Sequence, residues 1–208
     1  MPARLAMRLL AALDRRLLWR VAHAGNKVFL TFDDGPCPGI TPWVLDTLAV
    51  HGAKATFFCL GQQAEQHPEL MQRIRADGHS IGHHTWDHAD GWRTAKRPYQ
   101  RSVLRAARST GSMLFRPPYG HLPPGQLRSI GRRYRVVMWD VMGYDFKPGR
   151  RGGECARHVL RHARPGSIIV LHDNPKSAAC LKEALVPILQ GFRCKGYACA
   201  ALGPIMIR

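Results

Sequence analysis

Short apolar runs alternate with amphipathic stretches along most of the chain. The strand-like runs fall at Lys27 to Phe32, Ala55 to Cys59, His79 to His83, Leu114 to Arg116, Arg135 to Asp140 and Ser167 to Leu171. Between them, apolar residues recur at helical spacing over Pro42 to His51, Pro68 to Ala76, Tyr99 to Ala107, Glu154 to His162 and Ala178 to Gln190. Strands that alternate with helices pair in parallel, because each helix returns the chain to the end of the sheet from which it left. The pattern therefore predicts an α/β fold, with a barrel or a doubly wound sheet as its two forms. Segments rich in Gly and Pro, Pro117 to Gly125 and Pro148 to Gly153, read as loops at the rim.

Residues 1–25 follow a different pattern. Leu5, Leu9, Leu13, Leu17 and Val21 recur every four positions, interleaved with Arg4, Arg8, Arg15, Arg16 and Arg20. That spacing predicts a basic amphipathic helix, packed across the barrel or docked at a membrane surface. Asp14 and the Arg15-Arg16 pair interrupt the apolar run, so it does not read as a signal peptide. A cytoplasmic or membrane-surface setting is expected, with export by another route left open.

Composition sets the scale. With 208 residues and 45% hydrophobic content, the chain can bury one substantial core, giving residues 26–208 as a single domain expected to be monomeric. The 31 Lys and Arg outweigh 14 Asp and Glu, for a formal charge of +17. No helix-turn-helix, zinc-finger spacing or aromatic RNA-binding motif accompanies that charge, so a specific nucleic-acid function is not expected. Peripheral contact with an anionic membrane or cell wall accounts for it equally well. The 6 cysteines are scattered without a CxxC pair, which fits reduced thiols.

The chemistry begins where the first strand-like run ends, at Thr31-Phe32-Asp33-Asp34-Gly35-Pro36. Two adjacent carboxylates repel, and a bound cation relieves the repulsion while one of them stays free as a base. His84 and His88 have the H-x3-H spacing that lets two imidazoles converge on one ion. Two His and one Asp leave coordination positions open, as a catalytic site requires. The same donor set also serves non-haem iron oxygenases, although that chemistry has no use for Asp33, Arg116 and His172. Further along come Phe115-Arg116-Pro117-Pro118-Tyr119-Gly120, Trp139 to Phe146, and Ser167 to Asn174 with His172 at its strand end. Titratable groups thus recur at the ends of successive strands, where α/β folds collect their catalytic residues.

These five motifs, in this order, resemble the polysaccharide deacetylases of the NodB-homology type, carbohydrate esterase family 4, over roughly Lys27 to Ile207. The resemblance implies a distorted, incomplete (β/α) barrel and metal-dependent removal of N-acetyl groups from a glucosamine-containing glycan, peptidoglycan-like or chitin-like. It implies that Asp34, His84 and His88 bind zinc, with another divalent ion such as Co2+ admissible, and that Asp33 is the general base. Arg116 would hold Asp33, the Tyr119 N–H would face the developing oxyanion, and the Tyr119 ring would line the wall. His172 would be the general acid, oriented by Asp145, with Leu171 as the apolar wall beside the acetyl methyl.

Two positions depart from the family pattern. His83 stands where Asn commonly precedes the first histidine ligand, so it could compete as a ligand or support one. Phe146 stands where Trp commonly follows the motif aspartate, giving a smaller substrate-facing ring. A catalytically silent glycan-binding protein and an amidohydrolase of a small non-sugar N-acyl substrate remain the alternatives.

Overall fold

The computed structural model describes residues 16–203. Its strands are β1 (Leu17–Leu18), β2 (Lys27–Asp33), β3 (Ala55–Cys59), β4 (Ser80–His83), β5 (Leu114–Phe115), β6 (Arg135–Val137), β7 (Val141–Met142), β8 (Ile168–His172) and β9 (Ala198–Cys199). The α-helices are α1 (Thr41–Val50), α2 (Gly61–Gln66), α3 (Pro68–Ala76), α4 (Lys96–Thr110), α5 (Pro124–Ile130), α6 (Gly152–His162) and α7 (Ala178–Cys194).

The strands pair in parallel in the order β1-β6-β5-β4-β3-β2-β8-β7, and β9 pairs with the start of β2. Chain length forces this sheet to roll. Strands β6 and β7 lie six steps apart in that order, about 29 Å in a flat sheet at the usual strand spacing. Only residues 138–140 connect them, a reach of about 14 Å even when extended. The result is the expected incomplete barrel of parallel strands with helices outside.

Strand alternation then sorts the side chains onto two faces. Val28, Leu30 and Phe32 of β2, with Ile169 and Leu171 of β8, pack outward against α1, α6 and α7 in the main core. Phe29, Phe58, Leu114, Val137 and Ile168 fill the barrel interior. Asp33 and His172 follow the interior set, at the strand ends where the catalytic groups were expected. All six cysteines are free thiols. Among the described residues, no helix is long and apolar enough to cross a membrane.

Two expectations need correction. Residues 16–25 of the anticipated N-terminal helix are not helical: Leu17 and Leu18 pair with Val136 and Val137, and Arg20 bridges to Ser167. An open β6 edge offers backbone groups to pair, and that ladder outcompetes the helical spacing of the side chains. Residues 1–15 lie outside the described residues. The run Arg135 to Asp140 is likewise not one strand. It stops at Val137 because the chain must cross to the other edge and restart as β7.

Candidate active site

Parallel register brings the motifs together. Asp33 lies opposite His172 across the β2–β8 pair and opposite Phe58 across β2–β3. Cys59 lies opposite His83, and the His84 N–H continues that ladder to the Cys59 carbonyl at 2.9 Å. The Arg116 N–H bonds the His83 carbonyl at 3.0 Å. Asp33, Asp34, His84, Arg116 and His172 therefore sit at, or one step past, the carboxyl end of a strand, and His88, Tyr119 and Asp145 lie in the loops that follow.

Arg116 crosses the interior with no exposed surface. Its Nη1 donates to Asp33 Oδ1 at 2.5 Å and to the Thr31 hydroxyl at 2.7 Å. Nε and Nη2 donate to the carbonyls of Val137 and Met138 at 3.3 and 3.1 Å. The guanidinium carbon lies 4.0 Å from the Phe58 ring centre. Burial lowers the guanidinium pKa and the Asp33 carboxylate opposes that shift, so the two charges support one another. Arg116 thereby ties Asp33 to the stretch of chain that closes the barrel.

Asp34, His84 and His88 form a second group, with donor atoms all within 4.8 Å of one another. The Nε2 atoms of His84 and His88 stand 3.7 and 3.3 Å from Asp34 Oδ1. His84 Nδ1 lies 2.8 Å from the Arg116 carbonyl, which can only accept, so Nδ1 carries the proton and Nε2 presents a lone pair. Burial pushes the His84 pKa down to about 3, keeping the ring neutral. Asp34 Oδ2 accepts from Asn174 Nδ2 at 2.7 Å, while Oδ1 is buried with no hydrogen-bond partner. An orphaned carboxylate oxygen facing two imidazole nitrogens is a donor set that fits a divalent cation.

A third group lies across the rim. His172 Nδ1 meets Asp145 Oδ1 at 2.8 Å, and the His172 N–H donates to Asp145 Oδ2 at 2.7 Å. Burial alone would lower the His172 pKa, but the Asp145 bond and the charges of Asp145, Asp33 and Asp34 raise it to about 9. Phe146 stands edge-on to the His172 ring at 5.1 Å and is 41% exposed. Tyr119, with φ of 59°, stands edge-on to His88 at 4.7 Å. Asp34, Thr85, His88, Tyr119 and Tyr144 all adopt positive φ without being glycine. Such residues hold backbone conformations that the surrounding packing must enforce.

Leu171 is corrected. Its side chain belongs to the outward core, on the opposite face of β8 from His172. The residue that shares the His172 face is Val170, recoverable from the two-residue strand period. His83 is not in the cation group either. It is buried, stacked 5.0 Å from Phe115 and edge-on to Tyr134 at 4.9 Å. Asn174, Asp173 and Thr41 support the site and were not singled out in the sequence. Asp173 Oδ1 accepts from the Gly35 N–H at 3.1 Å and Oδ2 from the Thr41 hydroxyl at 2.6 Å, which braces the turn after the paired aspartates. Burial, opposed by the Thr41 bond, pushes the Asp173 carboxyl up to about 7.

The polysaccharide deacetylase profile matches residues 20–134, a span that holds Asp33, Asp34, His84, His88, Arg116 and Tyr119. The chain belongs to the polysaccharide deacetylase family. A chitooligosaccharide deacetylase of Sinorhizobium fredii is 41% identical over 167 residues, covering 76% of this chain and 77% of the relative. The peptidoglycan-N-acetylglucosamine deacetylase PgdA of Listeria monocytogenes is 35% identical over 182 residues, 85% of this chain. That match spans only 38% of the length of the Listeria protein. Among solved structures, the Bc1960 peptidoglycan N-acetylglucosamine deacetylase in complex with 4-naphthalen-1-yl-N-oxidanyl-benzamide superposes with a TM-score of 0.86 at 30% identity, covering 92% of each chain. Beyond the matched span, His172 ends β8 and Asp145 follows β7 in the next loop, and the two side chains meet at the same rim.

Proposed function

We propose that the chain hydrolyses N-acetyl groups of a glucosamine-containing glycan, peptidoglycan-like or chitin-like, releasing acetate and a free amine. The observation that carries this reading is the convergence of a buried carboxylate–guanidinium pair, a three-donor cation group and an aspartate–histidine pair on one rim. Asp34 Oδ1 and the Nε2 atoms of His84 and His88 would hold zinc. When bound, a divalent ion supplies Lewis acidity toward the acetamide carbonyl and makes the attacking water more acidic.

The remaining steps belong to the chain's own residues. Asp33 is held at Oδ1 by Arg116, so Oδ2 takes a proton from the attacking water as the nucleophile adds to the carbonyl carbon. The Tyr119 N–H stabilises the developing oxyanion, in a turn stiffened by Pro117 and Pro118. His172 Nε2, on the ring atom away from Asp145, gives its proton to the departing nitrogen as the C–N bond breaks. Relatives named as peptidoglycan and chitooligosaccharide deacetylases support the substrate class.

The test is acetate release from N-acetylglucosamine oligomers and peptidoglycan fragments by metal-stripped and zinc-reconstituted protein, with Asp33→Asn as the blank. Release restored by zinc and absent from the blank is expected. Zinc bound at one per chain without release on any of these substrates would refute the reading.

A further inference from the structure

Among the described residues, the large hydrophobic side chains left exposed are Val50, Trp92, Met113, Tyr119 and Phe146. Single exposed apolar residues are ordinary, but these are not scattered evenly. The three aromatic ones border the site. Phe146 meets His172 and Tyr119 meets His88, so two of them have a place in the reading above. Trp92 does not. It is 67% exposed and lies in the loop between His88 and α4, outside the catalytic motifs.

Trp92 is stacked on His121, with ring centres 3.5 Å apart and planes inclined by 8°. His121 is in turn 5.5 Å from the Tyr119 ring, which touches the cation ligand His88. The aromatic surface therefore runs without a break from the site to Trp92. It is also built to stay in place. Asp90 Oδ1 accepts from the Trp92 N–H and meets His121 Nδ1, each at 2.9 Å. The Arg93 and Thr94 N–H groups bond the Asp90 carbonyl at 3.1 and 2.9 Å. Gln126 Nε2 donates to the Gly91 carbonyl at 3.1 Å, and a Cβ on Gly91 would fall 2.1 Å from the His121 carbonyl oxygen. The loop is thus pressed against the turn that carries Tyr119, and only glycine allows the approach.

A flat ring with one face backed and the other open, ringed by polar groups, suits a pyranose. That sugar ring offers an apolar C–H face and hydroxyls at its edge. Arg93 and Asp90, with side chains 89% and 18% exposed, stand beside Trp92 to meet those hydroxyls. A rigid aromatic anchor contributes contact area with little side-chain entropy to lose.

We propose that Trp92, backed by His121, is a stacking platform for a sugar unit of the glycan distinct from the one carrying the scissile amide. This rests on the deacetylase reading for the orientation of the chain across the site. It predicts that the protein measures oligomer length through Trp92.

The experiment is isothermal titration of N-acetylglucosamine dimer through pentamer into zinc-loaded protein carrying His172→Ala, which slows turnover, with and without Trp92→Ala or Trp92→Phe. In the parent, affinity is expected to rise with length. Trp92→Ala should weaken the pentamer roughly 10-fold, the scale of one aromatic contact, and leave the dimer within about 2-fold. Trp92→Phe should keep most of the gain. Equal weakening of dimer and pentamer, no weakening, or an absence of length dependence in the parent would each overturn the platform. Acetate release by the wild-type protein, measured separately, decides the catalytic reading, so failure of one does not masquerade as failure of the other.

Discussion

Arg116 and Asp33 form a charge pair whose coupling can be measured by removing each member alone and both together. The guanidinium is fully buried and the Asp33 side chain is 5% exposed, with 2.5 Å between the bonded atoms. At about 4 Å between charge centres and an effective dielectric near 20, their attraction is about 4 kcal/mol. Removing either partner strands the other charge in the interior, which typically costs about 3–5 kcal/mol. Arg116→Met keeps an apolar stem beside Phe58 and loses the donors to Val137, Met138 and Thr31. Asp33→Asn keeps the shape and loses the charge. Those lost donors are common to the single and double variants, so they cancel in the cycle. The double variant is expected to be less damaged than the sum of the singles, with a coupling of about 2–4 kcal/mol. Urea unfolding of metal-stripped protein at neutral pH, followed by tryptophan fluorescence with matched m-values, reads it directly. Additivity within about 0.5 kcal/mol would refute the claim that this pair is a coupled structural unit.

The other predictions follow from single contacts. In metal-stripped protein the His172 ring should titrate near pH 9 by NMR, and Asp145→Asn should move it toward the ordinary value of about 6.5. Because the folded pKa is raised, that contact stabilises fully below about pH 6.5 and is lost as pH rises through about 9; an unchanged titration in Asp145→Asn would sink the assignment. His84→Ala and His88→Ala should lose stoichiometric zinc on dialysis while Asp33→Asn retains it, and wild-type zinc content in either histidine variant would remove that ligand from the set. His172→Ala should slow acetate release about 100-fold or more, whereas near wild-type rates would leave it a structural histidine. Gly35→Ala places a Cβ 2.2 Å from Asp173 Oδ2 and should cost about 1–3 kcal/mol, visible as a lower Tm. An unchanged Tm would show that the Asp173 brace yields freely.

Long periodic elements were legible in the sequence because their apolar pattern and their burial share one cause. Helix α3 has the expected bounds, and α1, α4, α6 and α7 differ at their ends, where capping rather than periodicity decides. Of the two-residue strands, only Leu114–Phe115 was legible, inside the run Leu114 to Arg116. Leu17–Leu18, Val141–Met142 and Ala198–Cys199 are strands only because a neighbouring strand offers a partner, and a two-residue run has no period. Helix Pro124–Ile130 begins at the end of the stretch Pro117 to Gly125, whose Pro and Gly content signalled a loop. The site divides the same way. Motif residues carried their own chemistry, but Asp173 and Asn174 act through contacts with Thr41, Gly35 and Asp34 more than a hundred residues away, which no local pattern records.

Strand register explains why the proposed catalytic groups can be so unlike their surroundings. Asp33 and His172 are neighbours on adjacent central strands, so their separation is fixed by backbone hydrogen bonds between Lys27–Asp33 and Ile168–His172. The loops beyond are where the backbone departs from ordinary geometry, at Asp34, Thr85, His88, Tyr119 and Tyr144. Each such residue costs about 1–3 kcal/mol and persists only where packing over-determines it. Here the packing is the buried apolar face of β2, β3 and β8, whose residues have almost no exposure. A change that loosened that face, even far from the cation group, should therefore first release the strained loops and disperse His84, His88 and Asp34. Zinc affinity should fall before global stability does, which makes metal retention a more sensitive reporter of core damage than the unfolding midpoint.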